Sequence, residues 1–380
     1  MTSLLLDGAH LVDGRRVSIH VSEGRIEALT GAHDTLPPDA RRVGVEGLMA
    51  APGFIDLQVN GAGGHDITDE PASMWAIGES LARHGVTAFL ATIVSSERGT
   101  VDRAIDAWRQ GPPSPGAVPI GLHVEGPFLA RAGAHRPEHL RPPDAAEAAT
   151  WTPDAGVRVV TLAPELPGAL DLVAELSARG VVVAAGHTDA DGATGRAAVD
   201  AGVRYATHLL NAMRPLDHRE PSLAAALLVD DRVTIGLIGD GVHIAPETIE
   251  VVRRAVGPGR LSLVSDAMAG LDMAPGSVRL GDVEVEVGPD AARLSDGTLA
   301  GAVAGLDVGV RTLVSAGCPE DEALAAVTGT PAALLELADG RGRLEVGGRA
   351  DITLLTPELE VAATLVAGEV AWAAEPERWA

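Results

Sequence analysis

Residues 181–210 read VVVAAGHTDADGATGRAAVDAGVRYATHLL. The first seven, Val181–His187, are an apolar run closed by a histidine. Ala190–Ala201 follows with apolar residues at helical spacing, and Tyr205–Leu210 is a second short apolar run that contains His208. Strands buried on both faces read as continuous Val/Ile/Leu/Ala runs, and a helix between two of them is the crossover that joins parallel neighbours. The stretch therefore predicts a β-α-β unit with an imidazole near the carboxyl end of each strand.

The same unit recurs outward in both directions. Strand candidates Gly53–Asn60, Ala88–Val94, Ile120–Glu125 and Val157–Ala163 precede it; Val233–Ile238 and Leu261–Ser265 follow. Helices are predicted over Ala72–Arg83 and Leu170–Arg179 as well. Eight apolar strands with helical crossovers point to an α/β fold, a TIM-type (β/α)₈ barrel. A doubly wound open sheet fits less well, because GAGGH after the first strand is a poor phosphate-binding fingerprint. Both ends have another texture. LLLDGAHLVDG and VSIHVSEGRIEAL alternate and are broken by Gly and Asp, and Ala350–Leu355 and Val361–Val366 read similarly. Neither end is long enough for its own core. We expect residues 1–50 and 346–380 to form one small β-sandwich domain around a barrel of residues 51–345.

Composition removes several function classes. The 380 residues are 46% hydrophobic but only 2% aromatic, so the core rests on aliphatic side chains. The 45 glycines and 25 prolines follow no repeat, which suits many short elements joined by turns. A net charge of −24 argues against a nucleic-acid partner. No apolar run reaches the length of a membrane span. MTSLLLDGAHLVDG lacks a basic region ahead of its apolar residues, so a cytoplasmic location is expected. The lone Cys318 forms no internal disulfide, and all 29 basic residues are arginine.

Polar residues collect where the barrel would want them. Glu125 closes the third predicted strand, His187 the fifth and His208 the sixth; Asp266 follows the eighth. Carboxyl ends of barrel strands converge on one face. Two imidazoles and a carboxylate leave an open coordination position, as in catalytic divalent sites, and a separate Asp is available for proton transfer. Each residue has a plainer reading. A histidine at a strand end is more often a packed core residue, and a single Glu caps the next helix or meets solvent. The joint placement on four strands favours a site.

In chain order the segments APGFIDLQVNGAGG, HVEGPF, GAH, AGHTDA, THLLNAM, HREPS, GDGVHI, SDAM and DGTLAG span residues 51–301. This set resembles the N-acetylglucosamine-6-phosphate deacetylases of the amidohydrolase superfamily, and GRLEVGGRADITLL, residues 342–355, resembles the superfamily's return to its β domain. HVEGPF with THLLNAM and HREP is specific in combination; any one alone is weak.

The resemblance implies metal-dependent hydrolysis of N-acetyl-D-glucosamine 6-phosphate. It assigns Glu125, His187 and His208 as metal ligands, Asp266 as catalytic acid/base, and His135 as the group that polarises the acetamide carbonyl. Ala134, His135, Asn211, Ala212, Arg219, His243 and the Leu299–Ala300–Gly301 stretch are the implied substrate contacts, with Arg219 reaching across a homodimer to the phosphate. Taken without the resemblance, Arg219 reads as a surface ion pair with Glu220 or a nearby Asp. Lysine-bridged two-metal sites are excluded by composition, and Gln58 and Asn60 stand where many relatives carry His-x-His. Amides are weak ligands for transition metals, so one divalent ion per chain is expected, zinc ahead of iron. A deacetylase of the galacto epimer is the near alternative, and a non-catalytic sugar-phosphate-binding protein the distant one. His123 could orient Glu125 or simply pack; Asp56 and His65 carry no assigned role. His10, His20, His33 and His84 read as structural or solvated.

Overall fold

In a computed structural model the described residues are 3–31, 40–111 and 116–379, and His33 lies outside them. The barrel strands, numbered β1 to β8, are Phe54–Val59, Val86–Val94, Val118–Glu125, Val157–Leu162, Val182–Ala185, Val203–Ala206, Thr234–Ile238 and Leu261–Val264. They pair in parallel in this order. Parity along β3 shows how the barrel is filled. Leu122 and Val124 pack in the outer core beneath the helices, while His123 and Glu125 face the interior. Ile55, Leu57, Ala88, Leu90, Val159, Ala184, Tyr205 and Ile238 form the buried inner plug below the polar end.

The β8–β1 seam is closed in two different ways. At the amino ends, Ala326 and Val327 wedge between the strands, and their carbonyls accept from Leu263 N–H (2.9 Å) and Ile55 N–H (2.8 Å). At the carboxyl ends the strands meet directly: Asp266 N–H donates to Gln58 O (3.0 Å) and Asn60 N–H to Ala267 O (2.7 Å). Asp56 is part of this closure. Its buried carboxylate accepts from the N–H of Ser265 (3.2 Å) and of Gln58 (3.2 Å), and burial pushes its pKa up to about 7.

Helices Ala169–Ala178, Gly192–Ala201, Leu223–Val229, Pro246–Val256 and Leu306–Ser315 cover the outside. The expected helix over Ala72–Arg83 is split into a 3₁₀ turn, Pro71–Trp75, and a short helix, Gly78–Arg83. Pro71 starts the tighter turn, and Gly78 is a poor residue for helix continuity.

Both chain ends join one eight-stranded sheet. Met49–Pro52 pairs antiparallel with Ile352–Leu355. Leu4–His10 shares one edge between Arg41–Gly44 and Met49, so the expected sandwich takes the form of a sheet that forks there. Leu6, Ile19, Ile26, Val43, Ile352 and Leu365 fill its core. A further layer escaped the sequence reading: Gly276–Leu280, Val283–Val287 and Ala292–Arg293 make a three-stranded sheet after β8. Leu280, Val285, Val287 and Ala292 pack with Val94 and Met268, and the sheet forms a roof at one side of the barrel mouth.

Candidate active site

The β5 and β6 runs end sooner than their apolar pattern suggests, because the chain leaves the sheet at Gly186 and Thr207. His187 and His208 follow with φ of 50° and 27°, and Asp266, just past β8, has φ 53°. Left-handed backbone at a non-glycine residue is strained by about 1–3 kcal/mol and survives only where neighbours enforce it. Glu125, by contrast, is the last residue of a regular strand.

These turns aim the imidazoles at one carboxylate. His208 Nε2 lies 2.9 Å and His187 Nε2 3.2 Å from Glu125 Oε1, and the two Nε2 atoms are 3.2 Å apart. A tetrahedral ion with bonds of about 2.0–2.2 Å spaces its ligand atoms by roughly 3.3 Å. The three atoms thus sit at the separations a bound divalent ion requires. His135 approaches from the other side, Nε2 to Glu125 Oε2 at 3.7 Å, and Glu125, His135 and His187 also offer ligand atoms within 4.8 Å of one another.

Hydrogen bonds on the far ring nitrogens separate the roles. His187 Nδ1 donates to Arg131 O (2.8 Å), which leaves a bare lone pair on Nε2. His135 Nδ1 instead accepts from Ser95 N–H (3.2 Å), so its Nε2 carries the proton. The free lone pair suits His187 to hold a metal ion, and the remaining N–H suits His135 to donate a hydrogen bond. His208 Nδ1 has no hydrogen-bond partner among the described residues. Burial opposes the charge on Glu125, but the close His135, His187 and His208 imidazoles hold its carboxyl well below the usual range.

Asp266 stands apart from the imidazole group. Its Oδ1 accepts from Gln58 Nε2 (3.0 Å) and Asn60 Nδ2 (2.8 Å), and Gln58 Nε2 also donates to Glu125 Oε1 (3.1 Å). The amides that stand in place of His-x-His are thus hydrogen-bond donors that fix the two carboxylates. Burial, then the Glu125 charge, raises the Asp266 pKa to about 6.

A cavity of about 430 Å³ opens over these groups. Ala134, His135, Asn211, Ala212, His243, Leu299 and Gly301 line it. His243 Nδ1 is held by Asp240 Oδ2 (2.7 Å), which no motif reading singled out although it stands in the same GDGVHI segment.

One expectation needs correction. Ala300 is fully buried with Val94, Met268 and Leu280 and does not line the cavity. Arg219 sits on the exposed segment 215–221 outside the cavity wall. Its backbone N–H donates to Asp217 Oδ1 (2.7 Å), while Glu220 pairs with Arg214 (3.4 Å) rather than with Arg219. Of the two readings open for His123, packing is the one its hydrogen bonds favour: the ring joins Leu57 O (2.9 Å) to Thr161 Oγ1 (2.7 Å) beneath the site. Sequence reasoning also missed Arg293, a wall cation on the roof beside Gly297 and Thr298. The VEVEV alternation at residues 283–287 was the available signal. His65 is exposed in a two-residue hairpin away from the ligands. His84 is structural: it bridges Asp307 (2.8 Å) and Asp272 (3.2 Å).

The amidohydrolase family model matches residues 49–371. The human N-acetylglucosamine-6-phosphate deacetylase is 39% identical over 87% of this chain and 85% of its own length. The Bacillus subtilis (strain 168) N-acetylglucosamine-6-phosphate deacetylase is 32% identical over 93% and 92%. Among solved structures, an aspartate mutant of the Mycobacterium smegmatis deacetylase in complex with N-acetyl-D-glucosamine-6-phosphate superposes with a TM-score of 0.87. It is 36% identical and covers 98% of this chain and 100% of that one.

Proposed function

The chain belongs to the amidohydrolase family, and from that premise we propose that it hydrolyses the acetamide of N-acetyl-D-glucosamine 6-phosphate, giving D-glucosamine 6-phosphate and acetate. The observation that carries this reading is the division of labour at the barrel mouth. The bare Nε2 of His187, the Nε2 of His208 and a carboxylate oxygen cluster on one side, and a separately held carboxylate faces the same cavity.

Glu125, His187 and His208 would hold one divalent ion; zinc and ferrous iron both suit these ligands, and zinc is the first choice. When bound, such an ion supplies Lewis acidity that activates water and polarises a carbonyl. The remaining work belongs to the protein's own groups. Asp266 Oδ1 is occupied by the two amides, so Oδ2 accepts the proton as water attacks the acetamide carbon. The same proton then goes to the sugar nitrogen, a poor leaving group until it is protonated. His135 Nε2–H donates to the carbonyl oxygen as negative charge develops there.

At the far end of the ligand, His243, with its Nδ1 engaged by Asp240, offers Nε2 to the phosphate together with Asn211. Leu299 and Gly301 face the sugar. Arg293 adds a cation from the same chain, and Arg219 of a second copy completes the phosphate site in a homodimer. Guanidinium groups suit this task because they bind phosphate oxygens through two parallel hydrogen bonds.

The test is acetate release by purified, metal-quantified protein from N-acetylglucosamine 6-phosphate, its galacto epimer and unphosphorylated N-acetylglucosamine. Release from the first, much weaker release from the third and loss on chelation are expected. Faster turnover of the galacto epimer would change the substrate and keep the chemistry. No release from any of the three by protein carrying about one metal per chain would overturn the substrate class.

A further inference from the structure

The two ligand histidines are in strained turns beyond their strands, and what holds those turns is not in the strands themselves. The loop after β3, residues 130–135, crosses over both. At its centre, Arg131 N–H donates to His187 O (2.9 Å), and Arg131 O accepts from His187 Nδ1. The Arg131 side chain then reaches in two directions. Nε pairs with Asp189, two residues past His187, at 2.8 Å, and Nη1 donates to Met213 O, on the turn that follows His208, at 2.6 Å. The two turns are themselves stitched, Thr188 N–H to Ala212 O (3.1 Å) and Arg214 N–H to Thr188 O (3.0 Å). Gly133 lies so close that a Cβ there would come within 3.1 Å of His187 Cε1.

We propose that Arg131 is a positioning residue for the metal: one guanidinium spans the His187 and His208 turns and fixes the separation of their Nε2 atoms. This rests on the reading of Glu125, His187 and His208 as metal ligands. The ion pair with Asp189 is well exposed and contributes little by itself. The effect comes from geometry, because a planar fork serves an acid and a carbonyl at once, whereas a lysine ammonium is a single point. Groups that orient metal-bound imidazoles typically change metal affinity by about 10–100-fold.

The experiment measures the rate of zinc loss to excess chelator, and the melting temperature with and without zinc, for wild type, Arg131→Met, Arg131→Lys and the remote surface variant Arg232→Met. Zinc retention by the wild type tests the ligand assignment; the variants test the clamp. About tenfold faster loss is expected for Arg131→Met, partial recovery for Arg131→Lys and no change for Arg232→Met. The zinc-free melting temperature of Arg131→Met should stay near wild type while the increment conferred by zinc shrinks. Wild-type zinc loss in Arg131→Met would overturn the proposal. So would full recovery with lysine, or a fall in melting temperature that is equal with and without zinc.

Discussion

Two parts of the barrel mouth hold reactive groups in left-handed backbone, and they do so by different means. The turns after β5 and β6 lie beyond the sheet and are clamped from outside, by the loop that carries Arg131. Asp266 lies on the β8–β1 seam and is fixed from within, by the hydrogen bond from its own N–H to Gln58 O and by two amides on its carboxylate. The difference follows from what each group must do. Ligands need only a fixed separation, whereas a base needs a tuned affinity for a proton, and that demands a dry and specifically hydrogen-bonded setting.

The comparison breaks most severely through the ligands. Glu125→Gln should abolish metal retention and take activity to background, because it removes the anion around which three imidazoles are arranged. Elemental analysis beside the acetate assay checks this; a metal-replete, active Glu125→Gln protein would remove the ligand assignment. Asp266→Asn should cut kcat on the order of a thousandfold while metal content stays at wild type, since its contribution belongs to proton transfer. Parallel loss of metal in that variant would mean that seam and turns are one unit.

A finer test separates fixing from tuning. In the proposed mechanism Asp266 acts as a base when ionised, so kcat/KM should rise through its pKa of about 6 and fall away below it. Asn60 donates to the anion, so Asn60→Ala should raise that pKa and move the acidic limb to higher pH by about one unit. An unmoved limb would assign the tuning to burial and Gln58 alone.

The smallest effect concerns the outside of the seam. His84 ties Asp272, in the loop that follows Asp266, to Asp307 on helix Leu306–Ser315. Burial opposes protonation, but the hydrogen bonds to Asp272 and Asp307 outweigh it and raise the pKa to about 9. A raised folded-state pKa gives stability that is complete below the usual histidine value near 6.5 and is lost as pH rises through about 9. His84→Gln should therefore lower the melting temperature by a few degrees at pH 6 and much less at pH 10. An equal drop at both values would reduce His84 to a packing role.

Much of this was legible in the sequence for a physical reason. Parallel strands buried on both faces must be apolar, so Glu125, His187, His208 and Asp266 stood out as interruptions at one end of each run. The boundaries of β5 and β6 were overextended because nothing in VVVAAGH or YATHLL announces that the backbone leaves the sheet before the histidine. Gln58 and Asn60 were readable only as poor ligands. Their service as donors depends on closure of the seam, which brings Asp266 from the far end of the barrel sequence. The distinct tautomers of His135 and His187 are set by Ser95 and Arg131, partners that no local pattern specifies. The hairpin with Arg293 was missed because its one alternating run, VEVEV, is short and follows the eighth barrel strand.

The pairing of Met49–Pro52 with Ile352–Leu355 bears on how the molecule is made. The earlier strand leaves the ribosome first, and its partner follows only after the entire barrel. At typical elongation rates the interval is on the order of tens of seconds. Throughout that time Leu6, Ile19 and Val43 lack the Ile352 and Leu365 side chains that complete their core, so the nascent amino-terminal sheet is a natural client for chaperones.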